Sequence, residues 1–365
     1  MTRLLYFSRD YTNHDFRFLS ALAKTSYQVY FLRLERSPVP LEERPLPVEV
    51  KQVEWAGGHR IVKLSDGPRL VADLRRVIKE IKPDLIHAGP IQRSAFLVAL
   101  VNYKPLISVS WGYDLLHDAY RNMFWQYATR FTLRRSEILL GDCKAVRNKA
   151  VEFGMPDANI VTFPWGIDLN AFKPSDFPFQ ESSQFTLLST RSWEPIYGVD
   201  ILAKAFVISA QKNDNLRLVM LGGGSLAGEL REIFVRGGVI DQVIFPGHIA
   251  HPHLPTYFQR SDLYISASHT DGSSISLLEA LASGRPAIVS DIPGNREWIE
   301  PGINGWWFKD GEEEELARTI LTAAAEPRVL SKMGKAARQT AVERADWENN
   351  YSTLLSVYDR VLAKT

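Results

Sequence analysis

The feature that most limits how this chain can fold is an alternation that runs through it twice: short apolar runs, each the length of one strand, separated by segments of helical period. The first series lies at residues 4–8, 29–32, 85–88, 106–111 and 138–141, the second at 185–190, 216–221, 243–245, 263–266 and 287–290. Strands alternating with helices make a parallel α/β sheet, because each crossover helix covers a face of the sheet it returns to. Two such series, in a chain of 365 residues that is 45% hydrophobic, require two cores. The expected fold class is therefore α/β, with two Rossmann-like domains.

Residues 163–180, FPWGIDLNAFKPSDFPFQ, carry three prolines and little periodicity, and mark the connection between the domains. The expected division is 1–167, 168–345, and a closing segment 346–365 that returns to the N-terminal domain. In that last segment Trp347, Tyr351, Leu354, Leu355, Tyr358 and Val361 share a helical face. Val199, Leu202, Ala203, Phe206 and Val207 do the same after Tyr197-Gly198.

Charge and cysteine content exclude several classes. With 43 Lys and Arg against 42 Asp and Glu, the net charge of +1 gives no reason to expect nucleic acid as a partner. The single cysteine, Cys143, rules out an internal disulfide framework and a thiolate metal site. The opening MTRLLYFSRDYTNHD reads as a first buried strand and not a signal peptide. No stretch approaches the ~20 apolar residues of a membrane span, and a cytoplasmic protein is expected.

In open α/β sheets ligands bind beyond the carboxyl ends of the strands, so the loops after the second series carry the functional reading. The first, RSWEPIYG, puts Arg191 at a strand exit, where a guanidinium can clamp a diphosphate. The second is Gly222-Gly223-Gly224-Ser225, whose missing side chains let backbone approach an anion. As GGGSLA, with Asp241 downstream, it also permits an NAD-dependent dehydrogenase. The third, Pro246-Gly247-His248-Ile249, is turn chemistry from which backbone groups can read a base edge.

The fourth, HTDGSSISLLEALASGRP at 269–286, leads through Asp271-Gly272-Ser273-Ser274 into an apolar helix of Ile275, Ser276 and Leu277 that Gly284 and Pro286 stop. Glu279 lies inside that helix, where a carboxylate is costly without a partner such as a ribose diol. The fifth, DIPGNREW, places Arg296 beside Asp291 and Asn295. Each of these features also has a plain structural explanation, as surface charge or tight turn.

Taken in order, these residues resemble the family-4 retaining glycosyltransferases, over residues 163–298 and more loosely elsewhere. PWGIDLNAFKP is similar to that family's hinge, STRSWEPIYGVDILAKAF to its arginine-bearing donor loop, and DGSSISLLEALASGRPAIVSDIPGNREWI to its carboxylate-helix signature. The resemblance implies that Glu279 binds the ribose and that Asp271, in place of a longer glutamate, meets the transferred sugar. It implies donor contacts from Arg191, Tyr197, Gly222, Gly223, His248, Ile249, Gly272, Ser273, Ser274, Ile275, Ser276, Leu277 and Arg296. The family's lysine before the donor-loop glycine is replaced by Tyr197, and Arg296 is the expected source of the missing positive charge.

The first half departs further. Its SRDYTNHDFRFL loop lacks the family's glycine pair, and SWGYD has Trp111 where many members have histidine. Asp114 and His14, with Asp15 and Trp111 beside them, lie after first-half strands and are the candidate acceptor-side catalytic residues. The implied reaction is a retaining, metal-independent transfer of a hexose-type sugar from a UDP- or GDP-sugar to the hydroxyl of a saccharide or lipid-linked saccharide. No Asp-x-Asp pair of the sort that holds Mg or Mn beside phosphates occurs, no cofactor is implied, and residues 164–168 should move as the domains close.

A sugar-nucleotide epimerase shares this architecture, and a non-catalytic sugar-nucleotide-binding protein fits the three replaced residues, so both stay open here. Finally, residues 124–136, FWQYATRFTLRRS, interleave aromatics with arginines as helices on anionic membranes do, which allows peripheral contact with the inner membrane face.

Overall fold

The computed structural model describes residues 1–37, 44–175 and 184–364, so residues 176–180 of the proline-rich connection lie outside the described residues. The chain forms two compact units, Met1–Phe163 with Thr353–Thr365, and Pro164–Ser352.

The first unit is a seven-stranded sheet of β1 (Arg3–Ser8), β2 (Gln28–Arg33), β3 (Lys51–Gln52), β4 (Leu85–Gly89), β5 (Leu106–Val109), β6 (Ile138–Gly141) and β7 (Ile160–Thr162) in the order β3-β2-β1-β4-β5-β6-β7. The second contains six strands: β8 (Phe185–Ser189), β9 (Leu216–Leu221), β10 (Val243–Gly247), β11 (Leu263–Ser266), β12 (Ala287–Ser290) and β13 (Gly305–Phe308), in the order β10-β9-β8-β11-β12-β13. Neighbouring strands run parallel throughout. Central strands such as β5, β6, β11 and β12 are buried along their whole length, as a sheet covered on both faces demands.

Three strands escape the apolar-run reading for local reasons. β3 is two exposed polar residues held at an edge, β7 is three residues long, and β13 is a Gly-Trp-Trp-Phe segment whose tryptophans are half-buried. The helix Val199–Ala210 buries Val199, Leu202, Ala203, Ala205 and Phe206 against the second sheet.

Within the second unit the connecting segment is packed. Trp165, Ile167 and Phe172 are buried, the Ile167 amide donates to the Ala345 carbonyl (2.8 Å), and the Trp347 amide donates to the Ile167 carbonyl (3.1 Å). The last helix, Trp347–Leu362, belongs to the first unit from Thr353 onward. There Tyr358 Oη lies 2.6 Å from Nδ1 of the buried His87, and Tyr27 Oη donates to Asp359 (3.0 Å).

In each sheet the chain builds outward one way and then restarts on the other side. The switch falls between β1 and β4 in the first sheet and between β8 and β11 in the second. Loops that leave the two strands at such a point diverge and open a crevice at their carboxyl ends. Arg191 follows β8, and Asp271 lies shortly after β11.

Candidate functional site

In the second unit the two switch-point loops meet in one cluster. Arg191 Nη2 forms an ion pair with Asp271 Oδ2 (2.8 Å) and Nη1 donates to Ser274 Oγ (2.9 Å). Cζ of the Arg191 guanidinium lies over the Tyr197 ring, 4.1 Å from its centroid. Its side chain is only 11% exposed, and Nε is buried with no hydrogen-bond partner among the described residues. Burial is the largest influence on Arg191 and opposes its charge, but Asp271, Tyr197 and Tyr264 together raise it and keep the group protonated; burial raises the Asp271 carboxyl, with Arg191 pulling the other way.

Ser274 is also the N-cap of the helix Ile275–Ala282, and its side chain caps no backbone amide. The first turn of that helix, Ile275, Ser276 and Leu277, has no side-chain cap from Ser274, its N–H groups have no partner among the described residues, and it sets the positive end of the helix dipole beside Arg191. An oriented guanidinium, a hydroxyl and open helix amides together suit a phosphate-bearing anion.

The neighbouring residues divide into those held by the fold and those left open. Ser273 Oγ accepts from Trp298 Nε1 (3.1 Å), and Gly272 donates to its neighbour's side chain, Asp271 Oδ1 (3.0 Å). A Cβ at Gly294 would stand 2.4 Å from the Asp271 carbonyl oxygen, so that glycine lets the PGNR turn pack on the Asp271-Gly272 backbone. Of the three loop glycines after β9, Gly224 is needed for close approach to the Trp193 carbonyl (2.5 Å to a built Cβ), whereas Gly223 faces open space and Gly222 has φ of +96°.

Glu279 finds a protein partner that the loop reading overlooked. It is 3% exposed, and its Oε1 lies 3.0 Å from Nε2 of His251, in the turn that follows His248 and Ile249. His251 packs edge-on against Phe172 (5.3 Å between ring centroids). The sequence signal was present in the His-Pro-His after β10, but nothing in its spacing links it to a carboxylate 28 residues away. His248 is exposed and Ile249 half-buried.

Arg296, the expected source of the missing donor-loop charge, is paired within its own loop. Its guanidinium is committed to Asp291 (Nη2 to Oδ2, 2.8 Å) and lies over the Trp307 ring at 5.5 Å, so its charge is matched within its own loop.

In the first unit Asp114 is 1% exposed. Oδ1 accepts from Ser110 Oγ (2.6 Å) and the Leu115 amide (3.1 Å), and Oδ2 accepts from the Ile91 amide (3.0 Å). Burial raises its carboxyl to about 6. Both oxygens are thus engaged in tying the loop after β5 to the turn after β4. His14, on the helix Asn13–Leu22, lies 5.3 Å from Trp111 ring to ring, and burial followed by Arg17 pushes it down to about 4. Asp15 accepts from Tyr6 Oη (3.0 Å) and completes the capping box of that helix with Thr12.

Comparison with known proteins shows the family of the chain. Residues 16–166 match the glycosyl transferase 4-like domain, and residues 174–340 match glycosyl transferases group 1. The chain is 30% identical over 141 residues to the putative glycosyltransferase EpsD of Bacillus subtilis (strain 168), a match spanning 39% of this chain and 36% of that one. It is 23% identical over 371 residues to the D-inositol 3-phosphate glycosyltransferase of Paenarthrobacter aurescens (strain TC1), covering 93% and 90%. Its fold is similar to that of Anabaena HepE solved with UDP, with a TM-score of 0.79 at 18% identity, covering 99% of this chain and 100% of the other. The chain belongs to the group 1 glycosyl transferases, and it is a glycosyltransferase of the GT-B type.

Proposed function

We propose that the protein moves a hexose-type sugar, with retention of anomeric configuration and without a metal ion, from a nucleoside diphosphate sugar to an acceptor hydroxyl. The observation that carries this reading is the junction of Arg191, Ser274 and the uncapped helix at Ile275 over the switch point of the second sheet. Those groups supply fixed positive charge where a diphosphate leaving group develops negative charge. A UDP-sugar is the favoured donor, in keeping with the UDP bound by the HepE structure, and a GDP-sugar is the next candidate.

In the proposed step the bond from the sugar C1 to the diphosphate oxygen breaks and a bond from C1 to the acceptor oxygen forms on the same face. The acceptor proton passes to the departing phosphate oxygen. Arg191 and the helix amides stabilise that oxygen's charge, Asp271 meets the sugar, and Glu279 meets the ribose.

The reading extends to a saccharide or lipid-linked acceptor presented at a membrane surface on the cytoplasmic side. Met123, Phe124 and Tyr127 are exposed on the helix Met123–Arg135, with Arg130 and Arg134 exposed beside them, and among the described residues no helix is long and apolar enough to cross a membrane. Apolar and cationic side chains together favour anionic lipid. Co-sedimentation with anionic vesicles, lost on charge reversal at Arg130 and Arg134, is the expected result; unchanged binding contradicts it.

The transfer is tested by incubating the protein with UDP- and GDP-hexoses and a panel of glycoside acceptors, then assigning the product linkage by NMR. An α-linked product from an α-linked donor is expected. An inverted product overturns retention, and an altered sugar nucleotide formed without acceptor points to the epimerase instead.

A further inference from the structure

We propose that Tyr197 is a positioning residue: its ring fixes the plane of the Arg191 guanidinium and so gives the site its selectivity for a diphosphate. The proposal rests on the donor-site reading above and concerns how that site achieves its recognition with a tyrosine where relatives carry a lysine.

The guanidinium is a planar fork at the end of a long side chain, and it grips two phosphate oxygens only when its plane is set correctly. In this protein its nitrogens are held by Asp271 (2.8 Å) and Ser274 (2.9 Å), and its Cζ lies over the Tyr197 ring (4.1 Å to the centroid). Two edge contacts alone leave the plane free to tilt about the line that joins them. An aromatic face removes that freedom, because the cation is drawn to the negative face of the ring and the contact is strengthened where water is largely excluded. A lysine here would add charge, yet it would repel Arg191 and could not orient it.

The turn that carries the ring is held by its neighbours. Gly198 has φ of +56°, and a Cβ there would sit 2.1 Å from the Ala267 carbonyl oxygen, so the turn bearing Tyr197 lies against the end of β11 at a separation only glycine allows. The Tyr197 amide donates to the Glu194 carbonyl (2.9 Å), and the His269 amide donates to the Ile196 carbonyl (3.0 Å). Glu194 in turn accepts from the Ser225 amide (2.9 Å) and from Ser225 Oγ (2.5 Å), which ties the same turn to the loop after β9. Tyr197 therefore stands on a turn anchored on both sides, and Arg191 leans on it.

The test is calorimetric titration of wild type, Tyr197→Phe and Tyr197→Ala with UDP and with uridine, run also with GDP and guanosine. The expected outcome is a loss of about tenfold in diphosphate affinity in Tyr197→Ala, with nucleoside affinity unchanged and with Tyr197→Phe close to wild type. Wild-type diphosphate affinity in Tyr197→Ala overturns the assignment, as does an equal loss for nucleoside and diphosphate. Failure of phenylalanine to rescue overturns it too, because the hydroxyl and not the ring would then be the working group. If wild type takes neither diphosphate, the donor-site reading falls and this assignment falls with it.

Discussion

His251 Nε2 meets Glu279 Oε1 at 3.0 Å, so the one carboxylate inside the apolar helix Ile275–Ala282 is held by a ring from another loop. A buried carboxylate deprived of its donor costs about 1–3 kcal/mol. His251→Ala should therefore lower stability by that order in denaturant melts, and it should weaken nucleotide binding by loosening Glu279. His251→Gln, which keeps a donor, should recover part of both losses. Equal stability in wild type and His251→Ala would remove the partnership.

Arg191 is the group on which the chemistry leans most. Arg191→Ala should reduce turnover by about 10²- to 10³-fold, the usual cost of losing one donor to a developing oxyanion. Arg191→Lys should recover little, since a point charge cannot satisfy Asp271, Ser274 and a phosphate in one plane. Steady-state kinetics with a saturating acceptor check this, and full rescue by lysine contradicts it.

The loop after β9 separates packing from recognition one residue at a time. Gly224→Ala would drive a methyl group into the Trp193 carbonyl and should destabilise the protein by about 1–3 kcal/mol. Gly223→Ala meets nothing within 4 Å and should leave stability within about 0.5 kcal/mol of wild type. If a ligand backbone-contacts this loop, Gly223→Ala should still weaken diphosphate binding. Binding unchanged in Gly223→Ala would take the loop out of the site.

His14 makes a prediction in pH. Burial and Arg17 depress it from 6.5 to about 4, so the unfolded chain takes up a proton at pH values where the folded protein refuses it. Its contribution to stability is complete above pH 6.5 and is lost as pH falls toward 4. Relative to His14→Phe, wild type should lose stability across that interval, and a pH-independent difference would contradict this. A base with so low a pKa removes protons poorly at neutral pH, so the fall in turnover in His14→Phe should stay well short of the ~10²- to 10⁴-fold cost of removing a general base.

Much of this was legible in the sequence, and the limits have physical causes. Apolar runs located ten of the strands because strands buried on both faces must be apolar throughout; β3, with Lys51 and Gln52, pairs at an edge and carries no such signal. The strand-end rule placed Arg191 and Asp271 on loops after the first and fourth strands of the second series, but residue types alone did not show that they pair or that Tyr197 lies under the guanidinium. Adjacency at strand ends likewise says nothing of a nearer acid, and Asp291 is the acid that Arg296 meets. Asp114 and Glu279 show the same gap from opposite sides: a buried carboxylate announces that partners exist, and only the fold names Ser110, Ile91 and His251.

The most direct test is the shift in melting temperature produced by UDP, GDP, ADP, CDP and NAD on wild type and on Glu279→Ala. A ligand that binds only the folded protein raises its stability by mass action. One nucleoside diphosphate should raise the melting temperature of wild type and fail to do so in Glu279→Ala, which would also name the donor class. A rise with NAD alone, or a nucleoside diphosphate shift that survives in Glu279→Ala, would contradict a donor site built on these loops.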